Sequence, residues 1–345
     1  MTTDQTRPRF GYVTRLKRFA DVSDVARVAE ESGFDRFALG DTHTMFGDPY
    51  VMLGLAAAAT SHLEIGTLVT NPSSRHPAAI ANAIATIDDI SGGRAFLGLG
   101  SGDNAVLNLG LARATLAEMD EAITAIRGLT AGREVTLRGR KVLNRCAHRP
   151  VPIVMSAEGP RALRLAGRVA DGVLIGTGLS EENVRRSVAF VAEGADGAGR
   201  SMSEIEVWFL ARWALADDRD AALAQLASLM ASVGHHALRG DPAAKGVPEE
   251  LVPLIHELDR RYDPSHHNVP GASPNALLVR ELGLLEYLAD RFAIAGTGKE
   301  CADQVMRLQK LGVDNIFLTM ANTGDPLGEL RAWSGEVIAR LPSGR

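Results

Sequence analysis

The feature that most constrains the fold of this chain is a regular alternation of short apolar runs with helical patterns. Each apolar run is rich in β-branched or aromatic residues, and the segment that follows it carries apolar residues at helical spacing. Because repeated βα units form parallel sheets with right-handed crossovers, the alternation predicts an α/β protein. Eight strand-like runs can be read: Arg9–Val13, Asp35–Gly40, Leu63–Val69, Arg94–Gly100, Val151–Ala157, Gly172–Gly178, Ile205–Leu215 and Asn315–Ala321.

The number of units distinguishes the two common folds with a parallel sheet. Eight units in 345 residues fit a (β/α)8 TIM barrel with room for one insertion. The alternative is a doubly wound open sheet, but its dinucleotide fingerprint G-x-G-x-x-G is missing after the first strand. The glycine-rich Gly98–Asp103 (GLGSGD) lacks the third glycine at that spacing. We therefore expect a single barrel domain over residues 1–345.

The excess length lies between strands seven and eight, at about residues 217–290. The segment begins with helical periodicity and then becomes polar and rich in proline and glycine. A long insertion in a barrel usually forms a lid over the active site, and we expect a lid here. No metal-binding spacing such as H-E-x-x-H occurs, so we expect no metal site and interpret some lid histidines as substrate contacts. The lid histidines are His235, His236, His256, His266 and His267.

Composition and charge exclude several classes of protein. A net charge of −5 gives no electrostatic reason for binding nucleic acid or an anionic membrane. The N-terminal MTTDQTRPRF has no apolar core typical of a signal peptide, and no stretch reaches the roughly 18 apolar residues of a membrane helix. Only two cysteines occur, Cys146 and Cys301, which is typical of reduced thiols in a cytoplasmic protein.

Active sites of (β/α)8 barrels lie at the carboxyl ends of the strands, so the residues that follow each strand are the candidates. Strand two is followed by Asp41 and His43, which suit proton transfer; alternatively, Asp41 caps the next helix and His43 lies at the rim. Strand three is followed by the polar Thr70–Pro77 (TNPSSRHP), whose Arg75-His76-Pro77 end also resembles an ordinary helix start. Strand four is followed by Ser101, Asp103 and Asn104.

Two turns after strands five and six suit a phosphate group. Ser156–Pro160 (SAEGP) leads directly into a helix, whose exposed N–H groups can hold an anion. Gly176–Gly178 (GTG) offers a second backbone cradle. The alternative is that both turns need glycine for geometry alone. A P-loop-like fragment, Ala295–Glu300 (AGTGKE), lacks the flanking residues of that motif and is interpreted as a helix start.

Three long stretches resemble the luciferase-like superfamily of flavin- and deazaflavin-dependent oxidoreductases, and most of all its branch of coenzyme F420-dependent methylenetetrahydromethanopterin reductases. They are Gly66–Asp103, Val151–Gly178 and Gly312–Leu318. The resemblance implies a (β/α)8 barrel with an insertion after strand seven. It also implies a cis peptide bond at Leu68–Val69, which would form a bulge behind the cofactor ring.

The resemblance assigns roles to single residues. Asp41 and His43 are expected to take part in proton transfer. The substrate-phosphate lysines of the sugar-phosphate branch cannot be placed, so that substrate is not expected. The implied cofactor contacts are Leu68 and Val69 behind the ring, Thr70 and Asn71 at its edge, Asp103 with Asn104 or Asn108 at the polyol chain, and Glu158, Gly159, Gly176, Thr177 and Gly178 at the phosphate.

Three functions remain open from the sequence. The first is hydride transfer between coenzyme F420 and a small organic substrate, with one proton supplied by the protein. The second is a monooxygenase that uses reduced FMN from a partner flavin reductase, with water excluded by the lid. The third is a non-catalytic flavin-binding protein, against which the Asp41, His43 and Asp103 set argues. A homodimer is expected, since dimers are common among the proteins that this chain resembles.

Overall fold

The structure is a computed structural model of the 345-residue chain. It describes residues 7–14, 16, 18–266, 269, 271–319 and 324–342. The strands are β1 Arg9–Thr14, β2 Arg36–Leu39, β3 Glu64–Thr70, β4 Ala95–Leu99, β5 Val135–Leu137, β6 Arg140–Val142, β7 Ile153–Ala157, β8 Gly172–Ile175, β9 Glu206–Leu215, β10 Ala293–Gly296 and β11 Asn315–Thr319. The helices are α1 Val22–Glu31, α2 Pro49–Ala59, α3 Pro77–Ser91, α4 Asn104–Leu107, α5 Leu116–Thr130, α6 Pro160–Val169, α7 Glu181–Asp196, α8 Arg219–Ala237, α9 Val252–Arg261, α10 Pro274–Glu281, α11 Leu285–Phe292, α12 Gly298–Lys310 and α13 Pro326–Glu336.

The fold is the (β/α)8 barrel that the sequence predicts, and each of the eight expected runs forms a parallel strand. The last run was expected to reach Ala321, but residues 320 and 321 lie outside the described part of the chain. Every residue of β2, β4 and β8 is buried. Strands covered on both faces carry apolar residues without alternation, which is why these runs could be identified in the sequence.

The chain divides into two compact units. The first unit comprises Arg9–Ile175 and Ser187–Trp208, and the second comprises Met1–Pro8, Gly176–Arg186 and Phe209–Arg345. In the first unit the strands β1, β2, β3, β4, β7 and β8 pair in that order, all parallel. In the second unit β9 pairs in parallel with β10 and β11.

The insertion is more helical than the sequence suggests. It contains α8, α9, α10 and α11, and β10 follows directly. The polar part of the insertion at residues 260–275 includes, among its described residues, the end of α9, a short 3-10 helix at Pro264–His266 and the start of α10. The insertion helices share an apolar core, to which α8 contributes Leu223, Leu226, Met230 and Val233.

Two strand pairs were missed by the sequence analysis. The β5–β6 hairpin is polar and turns at Arg138 and Gly139, where φ is 50° and 75°. Strand β10 has only four residues, Ala-Ile-Ala-Gly, and is held by pairing with Arg212–Leu215. Neither pattern distinguishes a strand from a loop until its partner is known.

Local signals set the starts and ends of the helices. Helix α3 begins with Pro77 at its first turn and ends at Gly92, whose φ of 70° is left-handed. Helix α12 begins with a capping box between Thr297 and Glu300, so the P-loop-like fragment is the helix start that the sequence predicts. In the described part of the chain, no helix combines the length and apolar character needed to cross a bilayer.

Candidate active site

Asp41 lies directly after β2 in the first unit and is 1% exposed. Its Oδ2 accepts hydrogen bonds from Thr70 Oγ1 at 2.7 Å and from Arg75 Nε at 2.7 Å, and Arg75 Nη2 donates to Oδ1 at 3.1 Å. The Arg75 guanidinium thus binds this buried carboxyl group in a bidentate arrangement. Asp41 does not cap the next helix, because Asp48 does so by accepting from the Tyr50 and Val51 amides.

His43 lies between this carboxylate and the loop after β3. Its Nδ1 is 3.2 Å from Asp41 Oδ1, and its Nε2 is 2.9 Å from Ser74 Oγ. Since the Asp41 carboxylate can only accept, Nδ1 carries a proton and Nε2 faces Ser74. The His43 side chain is 26% exposed, so its imidazole is partly open to solvent, while the contact with Asp41 fixes its orientation.

Arg75 joins two carboxylates. Besides binding Asp41, it donates from Nη2 to Asp48 Oδ2 at 2.7 Å, and its guanidinium carbon lies 5.0 Å from the ring centre of Tyr50. Burial alone would lower the pKa of Arg75, but the hydrogen bonds that it donates to Asp41 and Asp48 raise it overall. Burial also raises the pKa of the Tyr50 hydroxyl. Arg75 is therefore a fixed cation of the site.

The remainder of the Arg75-His76-Pro77 motif is an ordinary helix start. His76 is the N-cap of α3, where its Nδ1 accepts the Ala78 amide at 3.2 Å, and Pro77 is the first helical residue. Each alternative therefore applies to part of this motif. Arg75 belongs to the candidate site, whereas His76 and Pro77 form the start of α3.

Asn71 organises the loop after β3 and retains an unused donor. Its Oδ1 accepts from the Ser73 amide at 3.1 Å, the Ser74 amide at 2.8 Å and Ser74 Oγ at 3.0 Å. The residue is 1% exposed, yet its Nδ2 has no hydrogen-bond partner. Buried donors without a partner are rare, so this amide is a candidate donor to a bound ligand.

The cis peptide bond implied by the resemblance is present at Leu68–Val69. The register of β3 against β4 shifts between Thr67 and Thr70, so the strand has a bulge there. Gly100 on the neighbouring loop accommodates the bulge, because a Cβ atom at that position would lie 2.8 Å from Val69 Cγ2. Thr70 and Asn71 follow the bulge directly and are buried.

The loop after β4 is tied to the loop after β2. Asn108 Nδ2 donates to Thr44 Oγ1 at 3.0 Å, and Thr44 is the residue that follows His43. Asp103 is exposed and forms an ion pair with Arg113, and Asn104 begins the short helix α4. The structure therefore commits Asp103 to Arg113, and its expected contact with a polyol chain stays a prediction.

Of the two turns expected to hold phosphate, only one needs its glycine for geometric reasons. Gly159 has φ of −89°, and a Cβ atom there would meet nothing within 4 Å, so geometry does not require glycine. It is the N-cap of α6, and both Glu158 and Gly159 are exposed. Gly178, in the second unit, has φ of 118°, and a Cβ atom would lie 2.7 Å from Arg291 Cγ. For Gly178 the geometric interpretation is sufficient.

The lid histidines that can be described contact groups of the insertion. His235 stacks on Tyr262 with 4.2 Å between ring centres, and its Nδ1 lies 2.7 Å from Asp259 Oδ1. His266 Nδ1 lies 2.7 Å from Asp263 Oδ2. His256 is exposed, and His267 lies outside the described residues. Which of them contact substrate stays a prediction.

The structure brings four of the predicted site residues together in the first unit. Asp41, His43 and Thr70 share one hydrogen-bonded cluster, and Asn71 joins it through Ser74. Ser74 and Arg75 were among the residues after strand three that the sequence offers as candidates, with a helix start as the alternative for Arg75. Asp48 was not among the candidates. Asp48 carries no signal beyond its role as a helix cap.

Comparisons with known proteins agree with this architecture. The family model described as luciferase-like monooxygenase matches residues 2–315. The chain is 33% identical to the 5,10-methylenetetrahydromethanopterin reductase of Methanolobus tindarius over 316 residues, 89% of this chain and 90% of that protein. It is 33% identical over 242 residues to the F420-dependent glucose-6-phosphate dehydrogenase of Nakamurella multipartita, 62% of this chain and 70% of that protein.

Two solved structures share the fold of this chain. The coenzyme F420 dependent tetrahydromethanopterin reductase from Methanopyrus kandleri superposes with a TM-score of 0.79 at 25% identity, covering 98% of this chain and 100% of the other. The FMN complex of the oxygenating constituent of 3,6-diketocamphane monooxygenase from Pseudomonas putida shares the fold at a TM-score of 0.67 and 16% identity, covering 98% of this chain and 100% of the other. The chain belongs to the luciferase-like monooxygenase family and is an oxidoreductase.

Proposed function

We propose that this enzyme transfers a hydride between coenzyme F420 and a small organic substrate. The observation that carries the proposal is the unpaired Asn71 Nδ2, which is buried beside the bulge at Leu68–Val69. A deazaflavin ring carries carbonyl oxygens at its edge that can accept from this donor. The names of the relatives support the same cofactor, because the dehydrogenase of Nakamurella multipartita and the reductase from Methanopyrus kandleri both carry F420 in their names.

The described residues fit such a cofactor at three points. Asn71 offers a hydrogen-bond donor for the edge of the cofactor ring, and the backbone bulge at Leu68 and Val69 would support the ring. Thr70 is buried beside them, and Asp103 and Asn104 follow the neighbouring strand. Glu158 and Gly159 form an open helix start, which suits the phosphate. When bound, the deazaflavin supplies the hydride, and the protein supplies orientation and one proton.

Asp41, His43 and Ser74 would handle that proton. Asp41 holds His43 through Nδ1, so His43 exchanges its proton at Nε2, which is the nitrogen beside Ser74. Ser74 Oγ also donates to Asn71 Oδ1, and it can therefore accept from Nε2 in the same arrangement. His43 is proposed as the acid or base, Asp41 as the group that orients it, and Arg75 as the cation that holds Asp41 in place.

Several further expectations remain part of this proposal. Residues 217–290 are proposed to act as the lid over the site, and Gly176–Gly178 are proposed to contact the phosphate. The enzyme is proposed to work in the cytoplasm, where the free thiols of Cys146 and Cys301 would stay reduced. A homodimer is proposed, in which the exposed apolar face of α2 forms the interface.

Cofactor titration tests the proposal. Trp208 and Trp213 are buried on β9 and report binding through their fluorescence. We expect F420 to bind with a Kd of about 10 μM or below and FMN to bind at least about tenfold more weakly. Asn71→Ala should weaken F420 binding by about tenfold, since a hydrogen bond from a buried donor is lost. Asn82→Ala, at an exposed position of α3, is the matched control and should leave the Kd unchanged.

Two results would contradict the proposal. If FMN binds and F420 does not, and reduced FMN supports oxygen uptake with a flavin reductase, the enzyme is the two-component monooxygenase instead. If Asn71→Ala and Asn82→Ala have the same F420 affinity as the wild type, the unpaired amide does not mark the ring edge. Turnover can be followed as oxidation of reduced F420 with methylenetetrahydromethanopterin as the first substrate probe, because two relatives carry that substrate in their names.

A further inference from the structure

Two arginines are buried among the described residues, and only one of them is paired with carboxylates. Arg36 is 3% exposed and lies between two carboxylates, with Nε 2.5 Å from Glu64 Oε2 and Nη2 2.6 Å from Glu206 Oε2. Arg291, at the end of α11, is 4% exposed, and no carboxylate of the described chain lies within 4.0 Å of it. A buried charge without a counter-ion is unfavourable unless every donor is satisfied, so Arg291 needs an explanation.

Arg291 satisfies its charge with five neutral oxygens. Nε donates to the Thr177 carbonyl at 3.3 Å. Nη1 donates to the Gly246 carbonyl at 3.1 Å and to the Tyr287 hydroxyl at 2.9 Å. Nη2 donates to Asn183 Oδ1 at 3.3 Å and to the Lys245 carbonyl at 2.5 Å. A guanidinium has five N–H groups, and each has an acceptor here.

The acceptors come from three parts of the second unit besides α11 itself. Thr177 belongs to the turn after β8, Asn183 belongs to α7, and Lys245 and Gly246 belong to the insertion. Asn183 Oδ1 and the Lys245 carbonyl also accept from Arg186 Nη2, at 2.9 Å and 3.1 Å. Arg186 and Arg291 thus both donate hydrogen bonds to the insertion segment Lys245–Gly246. Of these two arginines, Arg291 is the one that also binds the Thr177 carbonyl of the turn.

Arg291 contacts every residue from 177 to 179. Its side chain binds the Thr177 carbonyl, and its own carbonyl accepts the Leu179 amide at 2.6 Å. Between them, Gly178 packs so closely that a Cβ atom would lie 2.7 Å from Arg291 Cγ and 2.8 Å from its carbonyl oxygen. The hydrogen bond from Arg291 Nε directs the Thr177 carbonyl oxygen toward the guanidinium. A carbonyl oxygen that faced an anion would repel it.

We propose that Arg291 is a positioning residue that holds the Gly176–Gly178 turn in its phosphate-binding shape and joins the turn to the Lys245–Gly246 segment of the insertion. The inference rests on the proposed function, because the phosphate role of the turn belongs to that proposal. Arg291 does not touch the ligand, since its five donors are occupied. It acts by shaping the turn and by leaving its positive charge uncompensated beside it. Binding at the turn and order in the insertion segment are then coupled reciprocally.

The test compares Arg291→Lys with Arg36→Lys. Each change keeps the charge and removes part of a buried hydrogen-bond network, but Arg36 lies at the amino ends of the strands. Two ligands are titrated: F420, and the deazaflavin ribityl compound that lacks the phosphate and everything beyond it. We expect Arg291→Lys to weaken F420 binding by about tenfold and the phosphate-free compound by less than about twofold. Arg36→Lys should change neither affinity by more than about twofold.

Amide hydrogen exchange gives a readout that needs no cofactor. In the unliganded protein, Arg291→Lys should raise exchange about tenfold at the Leu179 amide and at residues 245–247, and Arg36→Lys should not. In the wild type, F420 should slow exchange at residues 245–247, and the phosphate-free compound should not. If Arg291→Lys does not fold, Tyr287→Phe removes one of the five acceptors and should produce the same pattern with an effect of about threefold.

The outcomes separate this inference from the proposed function. If wild-type protein binds neither deazaflavin, the proposed function is wrong, and unchanged exchange at residues 177–179 and 245–247 in Arg291→Lys would then overturn the structural role as well. If wild-type protein binds F420, but Arg291→Lys weakens both ligands equally or neither, the proposed function stands and the positioning role is wrong. A selective loss for the phosphate-bearing ligand, with faster exchange at both segments, supports the inference.

Discussion

At the scale of single residues, the site depends on one buried carboxylate that is shared by several partners. Asp41 is bound by Thr70, Arg75 and His43, so its position is fixed before any ligand arrives. The arrangement leaves His43 Nε2 as the nitrogen that can exchange a proton at the open side of the cluster. Catalytic groups that are held in this way lose little entropy when the substrate binds.

The role of His43 can be tested by His43→Gln. Glutamine keeps a polar side chain of similar reach but cannot transfer a proton, so we expect kcat to fall about hundredfold with any substrate that the wild type turns over. The Kd for F420 should change by less than about threefold, because ring binding is assigned to Asn71. His62→Gln, at a side chain that is 75% exposed beside Glu30, serves as the control. An unchanged kcat in His43→Gln would exclude proton transfer by this residue.

At the scale of secondary-structure elements, the two ends of the parallel strands in the first unit have different tasks. The carboxyl ends carry the candidate site. The amino ends of β1, β2, β3 and β9 carry a closed ring of ion pairs, in which Arg9 and Arg36 alternate with Glu64 and Glu206. Trp208 covers the ring, with the Arg36 guanidinium carbon 4.5 Å from its ring centre. The strands are therefore fastened at the end where no chemistry is proposed.

This ring makes a prediction about pH. Burial alone would raise the pKa of Glu206, but Arg36, Trp208 and Arg9 lower it overall, below its ordinary value of 4.5. A carboxyl group with a lowered folded-state pKa stabilises the fold above its unfolded pKa, and this stabilisation is lost as the pH falls through the folded pKa. Glu206→Gln should therefore lower the Tm at pH 7, and the Tm difference from the wild type should narrow below about pH 4.

Thermal unfolding of both proteins between pH 7 and pH 3 measures that difference. Glu31→Gln, at an exposed position at the end of α1, is the control and should show a small Tm difference at every pH. A Tm difference between Glu206→Gln and the wild type that stays constant with pH would mean that the carboxylate charge is not what stabilises the ring.

Elements were more predictable from the sequence than the contacts between their side chains. The eight strands could be identified because buried parallel strands are continuously apolar, and the helix starts could be identified from Pro77 and Thr297. The strand-end rule for barrels also selected Asp41 and His43, which the structure joins in one cluster with Thr70. The sequence could not show that Arg75 binds Asp41 across 34 positions, because this contact depends on how β2 and β3 are aligned. Strand β10 was also hidden, since four small residues become a strand only beside β9.

At the scale of the whole molecule, one surface has no explanation within a single chain. Helix α2 contains no charged residue from Pro49 to Ala59, so it is apolar on every side. Its inner face packs in the first unit, while Val51 and Leu55 are 69% and 50% exposed, with Ala58 one turn further on the same face. Helices that are apolar all round are normally buried. A second copy of the chain is the occupant that we propose, because a two-fold axis beside α2 would pair this face with itself.

The dimer can be tested by Leu55→Glu, which places a charge at the centre of the exposed face. Burying that charge in a symmetric interface would bring two carboxylates together, so we expect the wild type to sediment as a dimer at about 10 μM and the variant as a monomer. Leu277→Glu, on α10 and 57% exposed, introduces the same change elsewhere and should remain dimeric. A monomeric wild type, or a Leu55→Glu variant that is still dimeric, would show that α2 is not the interface. If the site is complete within one chain, as the contacts of Asp41 and Asn71 indicate, the monomeric variant should still bind F420 with the affinity of the wild type.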